Sequence, residues 1–154
     1  MNNKKNNDRF KLIPAVHIFL IKGNKILLLR RFNTGYRDGQ YSVPAGHLDG
    51  KEKTTNAACR ELKEETGIKI NPKQLNIAHI MHRMSEEERI DFFFTVKNWK
   101  GSPEITEIDK CDELKWFLIK KLPPNMVPYI KKAIQNHNKN ILYSEFGWII
   151  QDEK

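Results

Sequence analysis

Four glutamates and one arginine lie at fixed offsets between Gly46 and Gly67, and side chains of these types can hold a metal ion. Three of the acids, Glu61, Glu64 and Glu65, fall within five consecutive residues. Unpaired carboxylates at such short spacing repel one another, and a divalent cation between them removes that repulsion. The oxygen donors favour Mg²⁺ or Mn²⁺, which keep water ligands that a phosphate can displace.

The segment that must position these acids has the pattern of a helix. We predict a helix over residues 54–66, ended by Gly67 in a left-handed C-cap. Spacings of three and four residues then place the three acids and Ala57 on one face, whereas Ala58 and Leu62 lie one turn apart on another. An exposed acidic helix face paired with lysines would show the same pattern, so the acids alone leave both interpretations open.

Arg60 lies beside the acids and is expected to organise them. A guanidinium can hold a carboxylate through two parallel hydrogen bonds. Glu52, just before the predicted helix, is the expected partner, and an ordinary surface salt bridge is the competing interpretation.

The complete spacing over residues 46–68 is far more specific than the acids alone. It reads Gly, five residues, Glu, seven residues, Arg-Glu, an aliphatic residue, one residue, Glu-Glu, one residue, Gly and an aliphatic residue. This segment resembles the Nudix box, GX5EX7REUXEEXGU, at every specified position. If each fixed residue has about 7% usage, the seven fixed residues would match by chance at about 10⁻⁸ per window.

The likeness to Nudix hydrolases covers roughly residues 13–134. Pro44-Ala45-Gly46 resembles the family's entry to the box, with alanine in place of a glycine, and Leu29-Arg30-Arg31 resembles one of its strand ends. The resemblance implies the Nudix fold, an α/β (α+β) structure in which an α/β/α sandwich surrounds a mixed β-sheet. We expect one such domain over residues 9–154 and a disordered tail over residues 1–8.

Apolar periodicity and turn residues predict the remaining elements. The predicted strands cover residues 13–21, 26–29, 41–43, 75–82, 90–96 and 114–118, with a second helix over 125–137 and an extended tail over 143–150. Turn signals after the first and fourth of these strands predict two hairpins. This order of elements predicts a mixed sheet with one helix on each face.

The resemblance also implies the chemistry, since family members use Mg²⁺ or Mn²⁺ to hydrolyse a nucleoside diphosphate linked to another group. It implies that the metal ligands are Glu61, Glu64, Glu65 and the carbonyl oxygen of Ala45, and that Glu52, Arg60, Glu61 and Glu64 have catalytic roles. Glu61 or a loop acid would help to deprotonate the attacking water.

In MutT-type members a glutamate from a later loop completes the metal site. Glu107 is the first candidate for that ligand in this sequence and Glu104 is the second. Solvated loop acids would look the same in the sequence, so this alternative stays open.

Five further residues are candidates for substrate binding. Arg30 and Arg31 end a predicted strand, so one of them could hold the distal phosphates, and His82 and Arg83 near a turn could touch a phosphate. Asn125 lies in a stretch that resembles the place where MutT-type proteins carry a base-reading asparagine. Each has a structural alternative, which for Asn125 is the N-cap of the second helix.

Sequence signatures of the family's substrate-specific branches limit which substrates the resemblance implies. Met84 stands where the family's ADP-ribose branch has a proline, and the dinucleoside-polyphosphate and NADH-pyrophosphatase signatures are missing. The MutT-like group remains, which implies cleavage of a nucleoside triphosphate, including an oxidised one such as 8-oxo-dGTP, to a monophosphate and pyrophosphate. The alternatives are an ADP-ribose or nucleotide-sugar pyrophosphatase, and a non-catalytic nucleotide sensor, although such binders usually lose a box glutamate and this chain keeps all four.

Composition limits the partners. The net charge of +8 favours anionic ligands, but the lysines are dispersed and form no Arg-rich block, so we expect a small nucleotide rather than nucleic acid. No apolar run is long enough to cross a bilayer, and the two cysteines form no CxxC motif. We therefore predict a cytoplasmic protein without a membrane partner, either a monomer or a homodimer.

Overall fold

The computed structural model describes residues 9–149, so the expected tail over residues 1–8 lies outside the described range. The described strands are β1 (Ile13–Lys22), β2 (Lys25–Arg31), β3 (Tyr41–Ser42), β4 (Ala45–His47), β5 (Asn76–Met84), β6 (Glu88–Val96), β7 (Cys111–Leu118) and β8 (Tyr143–Phe146). The described α-helices are α1 (Thr54–Thr66) and α2 (Pro128–Asn138), and one turn of 3₁₀ helix covers Pro72–Gln74.

The strands form one mixed sheet in the order β3-β2-β1-β6-β5-β8, with β4 paired to β1 and β7 paired to β2. Strands β1 and β6 run parallel, with His17 opposite Phe93. The two predicted hairpins are confirmed, since β1 pairs antiparallel with β2 and β5 pairs antiparallel with β6. The parallel pairing of β1 and β6 matters most for function, because it joins segments more than seventy residues apart.

Alternation along β1 divides the core between two faces of the sheet. Val16, Ile18 and Leu20 pack with α1, whereas Phe19 and Ile21 pack with α2. Each such side chain contributes about 1.5–3 kcal/mol when it is fully buried. The predicted mixed sheet with a helix on each face is confirmed. No helix of the described chain is long and apolar enough to span a membrane.

Helix α1 has the predicted bounds. Gly67 ends it at φ 74°, and its N–H donates to the carbonyl oxygen of Lys63 at 2.9 Å. Ala57, which lies on the face of the three acids, is fully buried together with Ala58 and Leu62. The apolar stripe of a helix that packs on a sheet is wider than one residue per turn, so it includes Ala57.

Helix α2 begins three residues later than predicted. Pro128 takes its first helical position, where the missing N–H needs no partner, and Val127 is the N-cap residue. The residues before it extend along β3 instead, since the N–H of Tyr41 donates to the carbonyl oxygen of Asn125 at 2.8 Å. The interpretation of Asn125 as the helix N-cap is therefore wrong.

The predicted extended tail is partly a strand. Within it, β8 pairs parallel with β5 along Ile80–Arg83, and residue 150 lies outside the described range. The apolar residues of this segment thus add a sheet edge.

Candidate active site

A cleft of about 930 Å³ brings together side chains from α1, β4, β5 and the loops that follow β2 and β6. Its acidic group consists of Glu61, Glu64, Glu65 and Glu107. Its basic group consists of Arg31, Arg37, Arg83 and Arg89, and two tyrosines, Tyr36 and Tyr129, lie beside these cations. The cleft therefore offers carboxylates for a cation together with guanidinium groups and aromatic faces for an organic anion.

Arg60 is held by the expected carboxylate. Its Nε and Nη2 donate to the two oxygens of Glu52 at 2.9 and 3.2 Å. Its Nη1 donates to Oε1 of Glu61 at 2.6 Å, and its Nη2 also reaches the carbonyl oxygen of His47 at 3.0 Å. The hydrogen bond from Arg60 holds the pKa of Glu52 below its ordinary value. Arg60 thus ties the segment before α1, strand β4 and Glu61 into one unit.

The close approach of α1 to β4 explains the glycine at the start of the 46–68 motif. A Cβ atom on Gly46 would overlap the carboxylate of Glu61, so only glycine leaves room for that side chain. On the neighbouring residue, the Ala45 N–H donates to Oε2 of Glu65 at 3.1 Å. Two acids of α1 therefore rest directly against the backbone of β4, a three-residue strand too short for periodicity to predict.

The acidic group carries mutual repulsion. Burial raises the pKa of Glu65 to about 8; the hydrogen bond from Ala45 opposes this, and the charges of Glu61 and Glu107 add to it. Burial also raises the pKa of Glu61. The charges of Glu64 and Glu107 raise it further, and Arg60 lowers it. Carboxylates in this condition are stabilised by a bound cation, which favours their charged forms.

The donor set fits a hard divalent cation. Each of the four glutamates keeps at least one oxygen that accepts no hydrogen bond within residues 9–149. As the side chains stand, no three carboxylate, histidine or cysteine groups of the described residues are close enough to enclose an ion. The residues present therefore match Mg²⁺ or Mn²⁺ in chemistry, and an ion would draw their free oxygens together.

The loop after β6 separates the two predicted acids. Glu107 lines the cleft, and its carbonyl oxygen accepts the N–H groups of Lys110 and Cys111 at 3.0 Å each, so a tight turn holds it. Glu104 lies beside Gly67 and is not among the lining residues. The geometry favours Glu107 over Glu104 as a loop ligand.

Of each predicted basic pair, Arg30–Arg31 and His82–Arg83, only one side chain lies in the cleft. Arg31 lines the cleft, but Arg30 points elsewhere and donates to both oxygens of Asp112 at 2.8 and 3.1 Å. Arg83 likewise lines the cleft, whereas Nε2 of His82 is 2.7 Å from Glu88 outside it. Successive side chains of a strand leave opposite faces, so only one member of each pair can enter.

Asn125 is not brought to the cleft either. Its side-chain amide donates to the carbonyl oxygen of Gly39 at 3.0 Å, so it braces the loop after β2. The same loop is tied to the cleft through Arg31, which donates to the carbonyl oxygen of Tyr36 at 2.7 Å and to the hydroxyl of Thr34 at 3.0 Å.

Sequence reasoning missed a buried chain of polar groups behind the basic group. Nε2 of His17 lies 3.0 Å from Oδ1 of Asp91, and Arg83 donates to Asp91 through Nε at 2.6 Å and Nη2 at 3.3 Å. Burial alone would raise the pKa of Asp91, but His17 and Arg83 outweigh it and hold that pKa at about 2. The available signal was an aspartate inside the apolar run of β6.

A family model described as the NUDIX domain matches residues 11–137 of the chain. The chain is 30% identical over 100 residues to an 8-oxo-dGTP diphosphatase of Proteus vulgaris, a match that covers 65% of this chain and 87% of that protein. It is 27% identical over 117 residues to the NAD-capped RNA hydrolase NudC of Vibrio parahaemolyticus, covering 74% of this chain and 42% of the relative. The chain thus spans only about two fifths of the length of the NudC relatives that it matches.

The fold has close counterparts among solved structures. A MutT NUDIX hydrolase from Burkholderia pseudomallei superposes with a TM-score of 0.74 at 22% identity, covering 82% of this chain and 98% of that protein. At this identity the likeness establishes the fold alone.

Proposed function

Since this chain belongs to the Nudix hydrolase family, whose members act on phosphoanhydride bonds, we propose that it is a Mg²⁺- or Mn²⁺-dependent pyrophosphohydrolase of nucleoside triphosphates. The proposed products are a nucleoside monophosphate and pyrophosphate. An oxidised nucleotide such as 8-oxo-dGTP is included among the proposed substrates.

The observation that carries the proposal is the contact between Glu61 and Gly46. The carboxylate of Glu61 occupies the space that a side chain at Gly46 would fill, with Arg60 fixed on its other side. A structural salt bridge on a helix surface needs no such accommodation. A site prepared for a cation does need it, because its ligands must be oriented before the substrate arrives.

We assign the metal to the oxygens of the acidic group. The proposed ligands are Glu61, Glu64, Glu65, Glu107 and the carbonyl oxygen of Ala45. When bound, the cation neutralises phosphate charge and lowers the pKa of a bound water. Glu52 and Arg60 orient Glu61, and Glu61 or Glu107 accepts the proton of the attacking water.

The basic group has a separate role in this proposal. Arg31 and Arg83 line the cleft and can donate to the substrate, so we keep both as substrate-binding residues. Arg30, His82 and Asn125 have partners outside the cleft, and we leave them out of the proposed site. We assign Arg31 to the phosphates, where a guanidinium would stabilise the charge that develops as the bond breaks.

Relative length supports a nucleoside triphosphate as the substrate. The match to the 8-oxo-dGTP diphosphatase covers most of that protein, whereas the matches to NudC leave more than half of each relative unmatched. The shorter relative is therefore the better guide to the substrate.

The test is product analysis with a panel of substrates. The protein is incubated with Mg²⁺ and, separately, canonical and oxidised nucleoside triphosphates, ADP-ribose, NAD and dinucleoside polyphosphates. Pyrophosphate with a monophosphate is the expected result. AMP with ribose phosphate would replace the proposed substrate by a nucleotide-sugar, and binding without any turnover would support a nucleotide sensor instead.

A further inference from the structure

Asp91 is the centre of the buried polar chain behind the cleft. Its carboxylate is inaccessible to solvent, and it accepts hydrogen bonds from side chains on two neighbouring strands. Because a carboxylate can only accept, the proton on His17 must lie on Nε2, which faces Oδ1 of Asp91. Both oxygens of Asp91 are occupied in this way, one by Arg83 Nε and the other by His17 and Arg83 Nη2.

Arg83 is held more firmly than any single hydrogen bond would hold it. Two of its nitrogens bind Asp91, and its Cζ lies 3.8 Å from the centroid of the Tyr129 ring. Its third nitrogen, Nη1, donates to no residue in the described range, although Arg83 lines the cleft and is only 6% exposed. One nitrogen, Nη1, is therefore left to donate to a ligand, and its direction is set by the protein.

A buried ion pair of this kind needs an explanation beyond stability. The desolvation of two charges cancels much of their attraction, and apolar side chains of similar volume are often as stable or more stable. The surface pair Arg30–Asp112 has the same bidentate geometry outside the cleft and needs no burial. Of these two pairs, only Arg83–Asp91 has its arginine in the cleft, which connects its burial to substrate binding.

The charge of the pair limits what Nη1 can recognise. The carboxylate of Asp91 compensates the guanidinium charge, so the free N–H acts as a directional donor rather than as a strong anion site. The proposed cation and Arg31 would bind the phosphates. The sugar and the nucleobase remain, and of these the nucleobase carries carbonyl oxygens and can stack on an exposed aromatic face such as that of Tyr36.

We propose that Asp91 is a positioning residue that aims Nη1 of Arg83 at a carbonyl oxygen of the nucleobase, so that the cleft selects oxo bases over amino bases. This inference rests on the proposed function, because it assumes a nucleotide in the cleft. Guanine offers a carbonyl oxygen where adenine offers an amino group, and a donor facing another donor leaves both unpaired. A well-placed contact of this type discriminates by about tenfold or more.

The test measures binding of dGMP and dAMP to the whole chain by calorimetry, without metal. The wild type should bind dGMP about tenfold more tightly than dAMP. Arg83→Lys keeps the charge but moves the donor, and Asp91→Asn removes the anchor, so each should bring the ratio close to one. The double variant should show no further loss of discrimination, because Asp91 acts through Arg83.

The control is Asp112→Asn, which removes the carboxylate partner of an arginine outside the cleft and should leave the ratio unchanged. Circular dichroism checks the fold of each variant, and Arg83→Lys alone decides the question if Asp91→Asn does not fold. Equal binding of the two monophosphates by the wild type, no binding of either, or an unchanged ratio in a folded Arg83→Lys variant would overturn the inference. Hydrolysis of dGTP with Mg²⁺ is assayed separately, so loss of the proposed function and loss of base selection are distinguishable.

Discussion

The acidic group and the chain His17–Asp91–Arg83 handle buried charge in opposite ways. In the acidic group, burial and neighbouring carboxylates raise the pKa of Glu65 to about 8. In the chain, burial is outweighed by hydrogen bonds from His17 and Arg83, and the pKa of Asp91 stays at about 2. Within the described residues Glu65 forms no salt bridge, whereas Asp91 is paired with both His17 and Arg83, so the first region needs an ion while the second is complete.

The largest expected effect comes from removing a carboxylate of the acidic group. Glu64→Gln should lower kcat by a hundredfold or more, since even partners of metal ligands cost about 10- to 100-fold. Glu64 is half exposed, so its substitution should leave the fold intact. Steady-state hydrolysis with Mg²⁺ measures the effect, and Glu88→Gln, an acid outside the cleft, is the control. A normal rate in the Glu64→Gln variant would remove this residue from the metal site.

The second prediction concerns the contact between α1 and β4. Gly46→Ala forces the carboxylate of Glu61 out of its place, since the added Cβ would overlap it. We expect little loss of stability, because the end of the flexible Glu61 side chain can move aside, and roughly tenfold less activity, because its carboxylate is then misplaced. Urea denaturation and the hydrolysis assay measure the two effects. Wild-type activity in this variant would show that catalysis does not require the contact of the Glu61 carboxylate with β4.

The third prediction concerns Glu65, the acid of the group that forms no salt bridge within residues 9–149. The folded pKa of Glu65 is raised, so stability is lost as pH rises from its ordinary value near 4 to about 8. Without metal, the free energy of unfolding should fall by roughly 5 kcal/mol over that range. Glu65→Gln should flatten this pH dependence, and added Mg²⁺ should restore stability to the wild type. Denaturation at pH 5 and pH 8.5, with a chelator, provides the measurement.

The smallest effect is expected from the chain His17–Asp91–Arg83, when the pH is lowered. The folded pKa of Asp91 is depressed, so its contribution is present above pH 4 and is lost as pH falls toward 2. The loss should be about 2 kcal/mol, at about 1.4 kcal/mol for each pKa unit. Denaturation of the wild type and Asp91→Asn between pH 5 and pH 2.5 compares the two slopes. Parallel slopes would contradict the assigned pairing.

The predicted substrate-binding residues show how much of the site a local sequence pattern can predict. The sequence placed two neighbouring pairs, Arg30–Arg31 and His82–Arg83, near the site, and the structure brings only the second member of each pair to the cleft. A strand turns alternate residues to opposite faces, and the sequence does not say which face meets the ligand. The alternative interpretation of Asn125 as an N-cap depended on where α2 begins, and Val127 takes that position instead.

The sequence by itself determined the three acids of α1, Glu61, Glu64 and Glu65, because they lie on one helix and helical spacing is a local property. It also determined the family, the mixed sheet and the partnership of Arg60 with Glu52. Only the tertiary structure decided the chain from His17 to Arg83 and its contact with Tyr129. These residues come from three strands and a helix, and the parallel pairing of β1 with β6 joins positions that no local pattern relates.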